Sequence, residues 1–176
     1  MSAPSKSGQL ACVLVLILGA IASPAQAARV TAPDERFSIE LPKGWTIGES
    51  AVPAISRFHA PGCPPGDAPV EECEVFLVVH PLGADPGATS RDLYDKRTKA
   101  LAAQTTMLSE GEINVAGQAA PYSISDYKLG PKPVRHFTVL LVHQGRGWSI
   151  TGWAPPKLFP KLEGTFRAMA QSVEFR

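Results

Sequence analysis

Four side chains with nitrogen or sulfur donors lie within residues 59 to 80 of the sequence, namely His59, Cys63, Cys73 and His80. Two histidines and two cysteines are the ligand types and number that a closed tetrahedral zinc site requires. The cysteines lack the close paired spacing that is typical of zinc sites, and they are not the C-x-x-C pair of a redox motif. A disulfide is the third interpretation, and the compartment that the chain reaches bears on all three.

Residues 1 to 27 have the order of a secretory signal peptide. Lys6 supplies the positive charge, Leu10 to Ile21 form an apolar run, and Ala25-Gln26-Ala27 is a small-residue cleavage pattern. The run is about 12 residues long, whereas a membrane-spanning helix needs about 20. This pattern predicts a cleaved export signal rather than a retained anchor.

Cleavage between Ala27 and Ala28 would leave residues 28–176 as a periplasmic or secreted chain, in which no transmembrane segment is predicted. Disulfides form and persist in such oxidising compartments. We therefore predict a disulfide between Cys63 and Cys73, which stabilises the fold by about 2.8 kcal/mol in the loop-entropy model. Zinc ligation and redox chemistry remain the alternatives.

The composition limits the class of protein and of partner. The sequence has 17 basic and 16 acidic residues, and removal of the signal segment with its one lysine balances the two signs. A neutral chain gives no indication of a nucleic-acid partner. The remaining length and the 44% apolar content fit a single globular domain. The sequence contains no nucleophile elbow, metalloprotease, P-loop or calcium-loop motif. We therefore predict no catalytic residue, metal or cofactor, although enzymatic activity stays open.

Apolar periodicity predicts most of the strands. Alternation marks 37 to 41, a continuous β-branched run marks 75 to 79, and weaker signals mark 45 to 47, 55 to 59 and 172 to 176. Two hairpins are also expected. One joins 113–115 to 122–124 through Gly117, and the other joins 134–143 to 148–153 through a four-residue loop at 144–147.

Two amphipathic helices complete the pattern. Residues 89 to 110 predict five to six helical turns that include Leu108, with Thr89 or Ser90 as the cap. A second helix carries one apolar face, with Pro160 in its first turn; that face consists of Leu158, Leu162, Phe166 and Met169. The order of elements predicts an α+β fold, a mostly antiparallel sheet with the two helices packed on it.

The opening F-S-I-E-L-P-K-G-W at 37 to 45 and the closing GRGWSITGWAPPKLFPKLEGTFRAMAQSVEFR at 145 to 176 resemble the PsbP/Mog1/DcrB-like superfamily. The resemblance implies a sandwich of sheet and helices. It also implies an accessory, binding or assembly role rather than a shared active site. The cysteine segment has no counterpart in the pattern that is matched.

Histidines and aromatic residues offer further candidates for a site. His136 and His143 are seven apart on one predicted strand and therefore face opposite sides of it. Trp148 and Trp153 are five apart, so at least one tryptophan is expected in the core. Four aromatic residues are candidates for a partner surface, and a patch on the surface where one of them groups with another would be the first choice for a partner site: Trp45, Tyr122, Tyr127 and Trp148.

Taken together, the sequence predicts a non-enzymatic exported protein that binds a protein or another component of the cell envelope. An envelope hydrolase with an unrecognised site is the first alternative. A small-ligand or glycan binder is the second, and it would require a concave pocket lined by aromatic residues.

Overall fold

The computed structural model describes residues 27–33, 36–48, 50, 52, 54–62, 75–129 and 132–176. Within these ranges the chain forms ten strands and two helices. In chain order they are β1 (Ala28–Thr31), β2 (Phe37–Leu41), β3 (Thr46–Gly48), β4 (Ser56–His59), β5 (Phe76–Leu82), α1 (Ser90–Leu101), β6 (Thr105–Val115), β7 (Gln118–Leu129), β8 (Lys132–His143), β9 (Arg146–Ala154), α2 (Phe159–Gln171) and β10 (Glu174–Phe175).

Seven strands form the main sheet, in the order β3-β4-β5-β9-β8-β7-β6, and each neighbouring pair is antiparallel. The continuous run at 75–79 falls on β5 and the residue before it, and the arm at 134–143, which carries apolar residues on both faces, falls on β8; both lie near the middle of this order. Both patterns predict central strands that are covered on both faces. Side chains on both faces of these strands are buried, for example Leu77 on one face and Phe76 on the other. The prediction of central strands covered on both faces is confirmed.

A second sheet of three strands has the order β1-β2-β10. The sequence pattern predicted β2 with its observed bounds but not β1, which pairs with it along four residues. The predicted last strand shortens to two residues, Glu174 and Phe175, that pair with Ser38 and Phe37. Arg29 of β1 forms ion pairs with Glu40 of the central strand β2 and with Glu174 of the other outer strand, β10.

The main core lies between the seven-stranded sheet on one side and α2 with the small sheet on the other. Phe166 of α2 is fully buried and packs against Gly152 of β9. Phe37 of β2 meets Trp148 of β9 edge-on, at 6.1 Å between ring centroids. These contacts make the small sheet and α2 one covering layer.

Helix α1 packs on the opposite face of the main sheet. Leu93 and Tyr94 form a smaller apolar cluster with Leu140 of β8. The backbone N–H of Val142 donates to the Ser90 hydroxyl at 2.9 Å, which fixes the start of the helix over β8. With one helix on each face of the sheet, the predicted α+β layered class is confirmed.

The predicted helix 89–110 was too long at its C-terminal end. Its start is confirmed, because Thr89 and Asp92 form a reciprocal capping box. The helix ends at Leu101, and Leu108 lies on the edge strand β6. Both leucines are more than 40% exposed, so the apolar spacing that suggested a continued helix does not correspond to a buried face.

The hairpin between β8 and β9 has a shorter turn than predicted. Only Gln144 and Gly145 lie between the strands, with φ values of 50° and 73°. Two successive positive φ angles match the turn geometry that fits the twist of a tight hairpin. Arg146 and Gly147, predicted to lie in the loop, instead pair with His143 and Val142.

Helix α2 begins at Phe159, with Pro160 in its first turn as predicted. Phe166 and Met169 form its buried face, and Leu162 packs partly against the core. Leu158 is wrongly assigned to that face, because it precedes the helix and is 41% exposed. Within the ranges that the structure describes, neither helix has the length and apolar character needed to cross a membrane.

Candidate functional site

A groove lies on the face of the main sheet that carries α1. The helix covers the sheet around Leu140, and its last turn stands beside an open area. Arg97, Thr98 and Leu101 of this turn form one wall, and Met107 of β6 closes one end. The volume is about 310 Å³, which reaches the range of small-molecule sites. We call this feature the sheet groove.

The floor of the sheet groove consists of small hydroxyl side chains from the three strands β7, β8 and β9. They point to one face because they alternate along each strand. We call them the hydroxyl floor: Ser123, Ser125, Thr138, Ser149 and Thr151. The register places Thr138 directly opposite both Ser123 and Thr151.

Aromatic rings form the second wall, which Tyr127, His136 and Trp153 line. The row of rings continues beyond the groove to the buried Phe76 of β5, and we call these four residues the aromatic row. The register places His136 opposite Trp153, and Trp153 opposite Phe76. Ring centroids are 5.5, 3.8 and 5.3 Å apart along the row. The Tyr127 hydroxyl donates to Gln104 Oε1 at 2.8 Å, which ties the row to the segment after α1.

His136 is the most perturbed titratable group of the sheet groove. Its side chain is nine-tenths buried, and its Nε2 atom has no hydrogen-bond partner within the described part of the chain. Burial lowers the pKa of His136 to about 4, and the nearby charge of Asp126 opposes that shift only in part. The imidazole is therefore uncharged at neutral pH.

Arg97 gives the sheet groove its charge. Two other cations of α1 are paired, Lys96 with Asp85 at 2.8 Å and Arg91 with Glu112 at 3.5 Å. Arg97 forms no ion pair with any residue that the structure describes. The pKa of His80 on β5 lies below its usual value. Burial is the larger cause, and the charge of Arg97 is the second. Among the described lining residues none is acidic, so the groove carries a positive charge.

These groups are suited to binding. Hydroxyls both donate and accept hydrogen bonds, and a guanidinium recognises carboxylates and phosphates. The Ser149 and Thr151 hydroxyls bond to each other at 2.9 Å. Ser149 therefore has a hydroxyl as its partner, whereas Ser125 of the hydroxyl floor stands opposite His136 in the register of the sheet.

The four aromatic residues proposed as a partner surface do not lie together. Trp148 is only 3% exposed and belongs to the core. Trp45 packs edge-on against Phe166, and Tyr122 lies under the guanidinium of Arg167, both on the side of α2. Tyr127 alone among these four lines the sheet groove. The expectation that at least one tryptophan belongs to the core is confirmed by Trp148.

The two histidines of β8 face opposite sides, as predicted. His136 lines the sheet groove, whereas His143 stacks on Phe175 of the small sheet at 4.8 Å. Trp148 and Trp153 are likewise on opposite faces of β9.

Two of the four zinc candidates fall in the described residues. His59 is buried on β4, and its ring leans over Gly48 of β3, away from β5. His80 lies four residues beyond the partner of His59 on β5, about 13 Å along the strand. This arrangement disfavours a zinc ion shared by the two histidines.

Cys63 and Cys73 lie outside the described residues. The ends of their segment are close, however, because the Ala60 N–H donates to the Val75 carbonyl at 3.2 Å. The described residues on either side of the segment are therefore neighbours in the paired strands β4 and β5, and the disulfide stays a prediction.

Most residues of the sheet groove were not proposed from the sequence. A local signal does exist, since two strands place hydroxyls two apart and end in an aromatic residue. These stretches are Ser123-x-Ser125-x-Tyr127 and Ser149-x-Thr151-x-Trp153. The period of two puts each set on one face.

No protein-family model matches the sequence, and no curated protein matches it significantly. Solved structures do match. Cyanobacterial PsbP (CyanoP) from Synechocystis sp. PCC 6803 superposes with a TM-score of 0.59 at 14% identity, over 90% of this chain and 96% of that chain. The Saccharomyces cerevisiae Ran-binding protein Mog1p gives 0.58 at 8% identity, over 86% and 96%.

LpqN of Mycobacterium tuberculosis, described as involved in cell envelope biogenesis, gives a TM-score of 0.55 at 14% identity, over 85% of this chain and 90% of that chain. Identities this low establish the fold and leave the activity open. Together with the layered sheet and its two helices, these matches confirm the resemblance seen in the sequence: the chain has the PsbP/Mog1-like fold.

Proposed function

We propose that the protein is exported and acts in the periplasm or outside the cell as a non-enzymatic accessory protein that binds a protein or another envelope component. The observation that carries this proposal is the sheet groove, an open area of the main sheet with a hydroxyl floor, an aromatic row and the unpaired cation Arg97. A binding or accessory role fits the Ran-binding Mog1p and the envelope protein LpqN, which share the fold.

Export is supported by the position of the first strand. β1 begins at Ala28, immediately after the proposed cleavage position, and pairs with β2 through Thr31. Cleavage after Ala27 would leave this strand whole. N-terminal sequencing of the protein from its native host tests the proposal, with Ala28 as the expected first residue. An uncleaved N-terminus, or a first residue beyond Thr31, would contradict it.

The binding role is tested by photo-crosslinking in the native host. Leu101 and Met107 border the sheet groove and are 44% and 40% exposed, so a photoreactive amino acid at either position reaches its occupant. Leu158 is similarly exposed, at 41%, but lies at the start of α2 on the other side of the sheet, and it provides the matched control.

We expect an adduct with the same envelope component from both groove positions and none from the control. Equal adducts from all three positions, or none from the groove, would contradict binding at this site. The hydrolase alternative is tested separately by a substrate panel on residues 28–176. Turnover that His136→Ala abolishes would replace the binding proposal with an enzymatic one.

A small-ligand or glycan binder is the second candidate function. It required a concave, aromatic-lined pocket, and the sheet groove is concave and bordered by Tyr127, His136 and Trp153. In this case the envelope component would be a small molecule or a glycan rather than a protein.

A further inference from the structure

We infer that the sheet groove binds a sugar acid, a hydroxylated ring that carries a carboxylate. This inference rests on the proposed binding function and names the ligand class of the same site. Two features of the groove carry it: the hydroxyl floor, which matches the ring hydroxyls, and the unpaired Arg97, which matches the carboxylate.

The hydroxyl floor is chemically complementary to a sugar. Serine and threonine hydroxyls donate and accept hydrogen bonds, as sugar hydroxyls do. Ser123, Thr138 and Thr151 stand opposite one another on adjacent strands, at intervals of about 4.8 Å. The Ser149 and Thr151 hydroxyls share one hydrogen bond, whereas Thr138 forms no side-chain hydrogen bond within the described part of the chain. The middle of the floor is therefore available to a ligand.

Arg97 selects for a negative charge on that ligand. It is exposed at the wall of the groove, it has no acidic partner in the described residues, and the lining described here holds no carboxylate. A guanidinium binds a carboxylate through two parallel hydrogen bonds, which are stronger than bonds between neutral groups. An anionic sugar is thus favoured over its neutral counterpart.

His136 presents a polar atom that needs a hydrogen-bond partner, at the wall of the groove that the aromatic rings form. Its imidazole is neutral at physiological pH because burial lowers its pKa to about 4, so it does not compete with Arg97 for the anion. Its Nε2 is buried without a partner among the described residues. Buried polar atoms are normally hydrogen-bonded, and a hydroxylated ligand supplies groups that can satisfy this atom.

The test is calorimetric titration of residues 28–176 with galacturonate and with galactose, which differ by the carboxylate. We expect galacturonate to bind at least tenfold more tightly. Arg97→Gln should weaken the binding of galacturonate about tenfold, which is the size expected for one exposed charge-assisted contact. The variant should then bind galacturonate and galactose with equal affinity. Lys99→Gln removes the same charge from an exposed position of α1 outside the groove and should change neither affinity.

Thr138→Val tests the hydroxyl floor, because it removes one hydroxyl at nearly constant shape. This change should lower the affinity for both sugars, whereas Thr106→Val on the exposed part of β6 should lower the affinity for neither. Trigalacturonate, compared with the monomer, distinguishes a glycan residue from a free sugar as the source of the ligand. Tighter binding of the trimer indicates a glycan.

Equal affinity for galacturonate and galactose, equal effects of the Arg97 and Lys99 variants, or no binding of either sugar would overturn the inference. The crosslinking experiment separates this failure from that of the proposed function. If Leu101 still captures an envelope component while sugar acids do not bind, the binding function stands and the ligand class is wrong. If neither occurs, both are wrong.

Discussion

Substitution of Gly152 by alanine should destabilise the packing of α2 on the main sheet. Gly152 is buried on β9, and the ring of Phe166 lies directly over it. A Cβ at this position would lie 2.5 Å from Cδ1 and 2.8 Å from Cδ2 of that ring. Ordinary carbon contacts begin near 3.5 Å, so the ring and its helix must retreat by about 1 Å.

Overpacking of this kind costs about 1–3 kcal/mol. Alanine has less backbone freedom than glycine in the unfolded chain and therefore loses less entropy on folding. This difference offsets about 0.5–1 kcal/mol of the cost. The expected net loss in unfolding free energy is about 1–2 kcal/mol, a fall in Tm of about 2–8 °C for a chain of this size. Urea denaturation followed by circular dichroism measures the first quantity, and calorimetry measures the second.

A double-mutant cycle isolates the contact. Phe166→Ala alone should cost about 3–5 kcal/mol. Adding Gly152→Ala in that background should be neutral or stabilising, because the ring is gone. Gly83→Ala is the control, since a Cβ there meets no atom within 4 Å. An equal loss from Gly152→Ala in both backgrounds would refute the explanation by ring contact.

Three further measurements address helix propensity, pH and the cysteines. Gly164→Ala in α2 introduces no contact within 4 Å and should raise the unfolding free energy by about 0.5–1 kcal/mol in urea denaturation; a decrease would contradict open space at this position. Burial lowers the pKa of His136 to about 4 in the folded chain, against about 6.5 for an ordinary histidine, so the unfolded chain binds more protons than the folded chain between about pH 4 and pH 6.5. Stability should therefore fall by about 2 kcal/mol from pH 8 to pH 5, and His136→Phe should remove this part of the slope; identical slopes would rule out His136 as the cause. Oxidised protein with a Cys63–Cys73 disulfide should weigh two hydrogens less than the reduced form and lose about 2.8 kcal/mol on reduction; two free thiols in protein taken from the periplasm would exclude the disulfide.

Strand positions were predictable because burial leaves a local pattern. The alternation at 37 to 41 and the continuous run at 75 to 79 each mark a strand, and glycines mark the hairpin turns. The start of α1 was also predictable, since the capping box of Thr89 and Asp92 is a local interaction. Its end was not. No glycine or proline follows Leu101 closely, and the helix stops because Thr105 begins an edge strand paired with β7.

Pairings between distant segments leave no comparable signal. β1 is four residues long, and nothing in its sequence indicates that β2 is its partner. The sheet groove depends on such information, because it exists only where α1 ends over strands β7 to β9. Tyr127 was proposed for its type alone, whereas Arg97 and Thr138 become site residues only through this placement.

The three-stranded sheet links the beginning of the folded chain to its end. β2 lies between β1 and β10, and the Glu40 N–H donates to the Ser172 hydroxyl, 132 positions away. One edge of β2 is thus paired by a strand close to it in sequence, and the other by a strand more than 130 residues away. The layer that closes over Phe37 is complete only when both strands have paired, and removal of Glu174 and Phe175 should uncover the side of the Phe37 ring that Phe175 contacts.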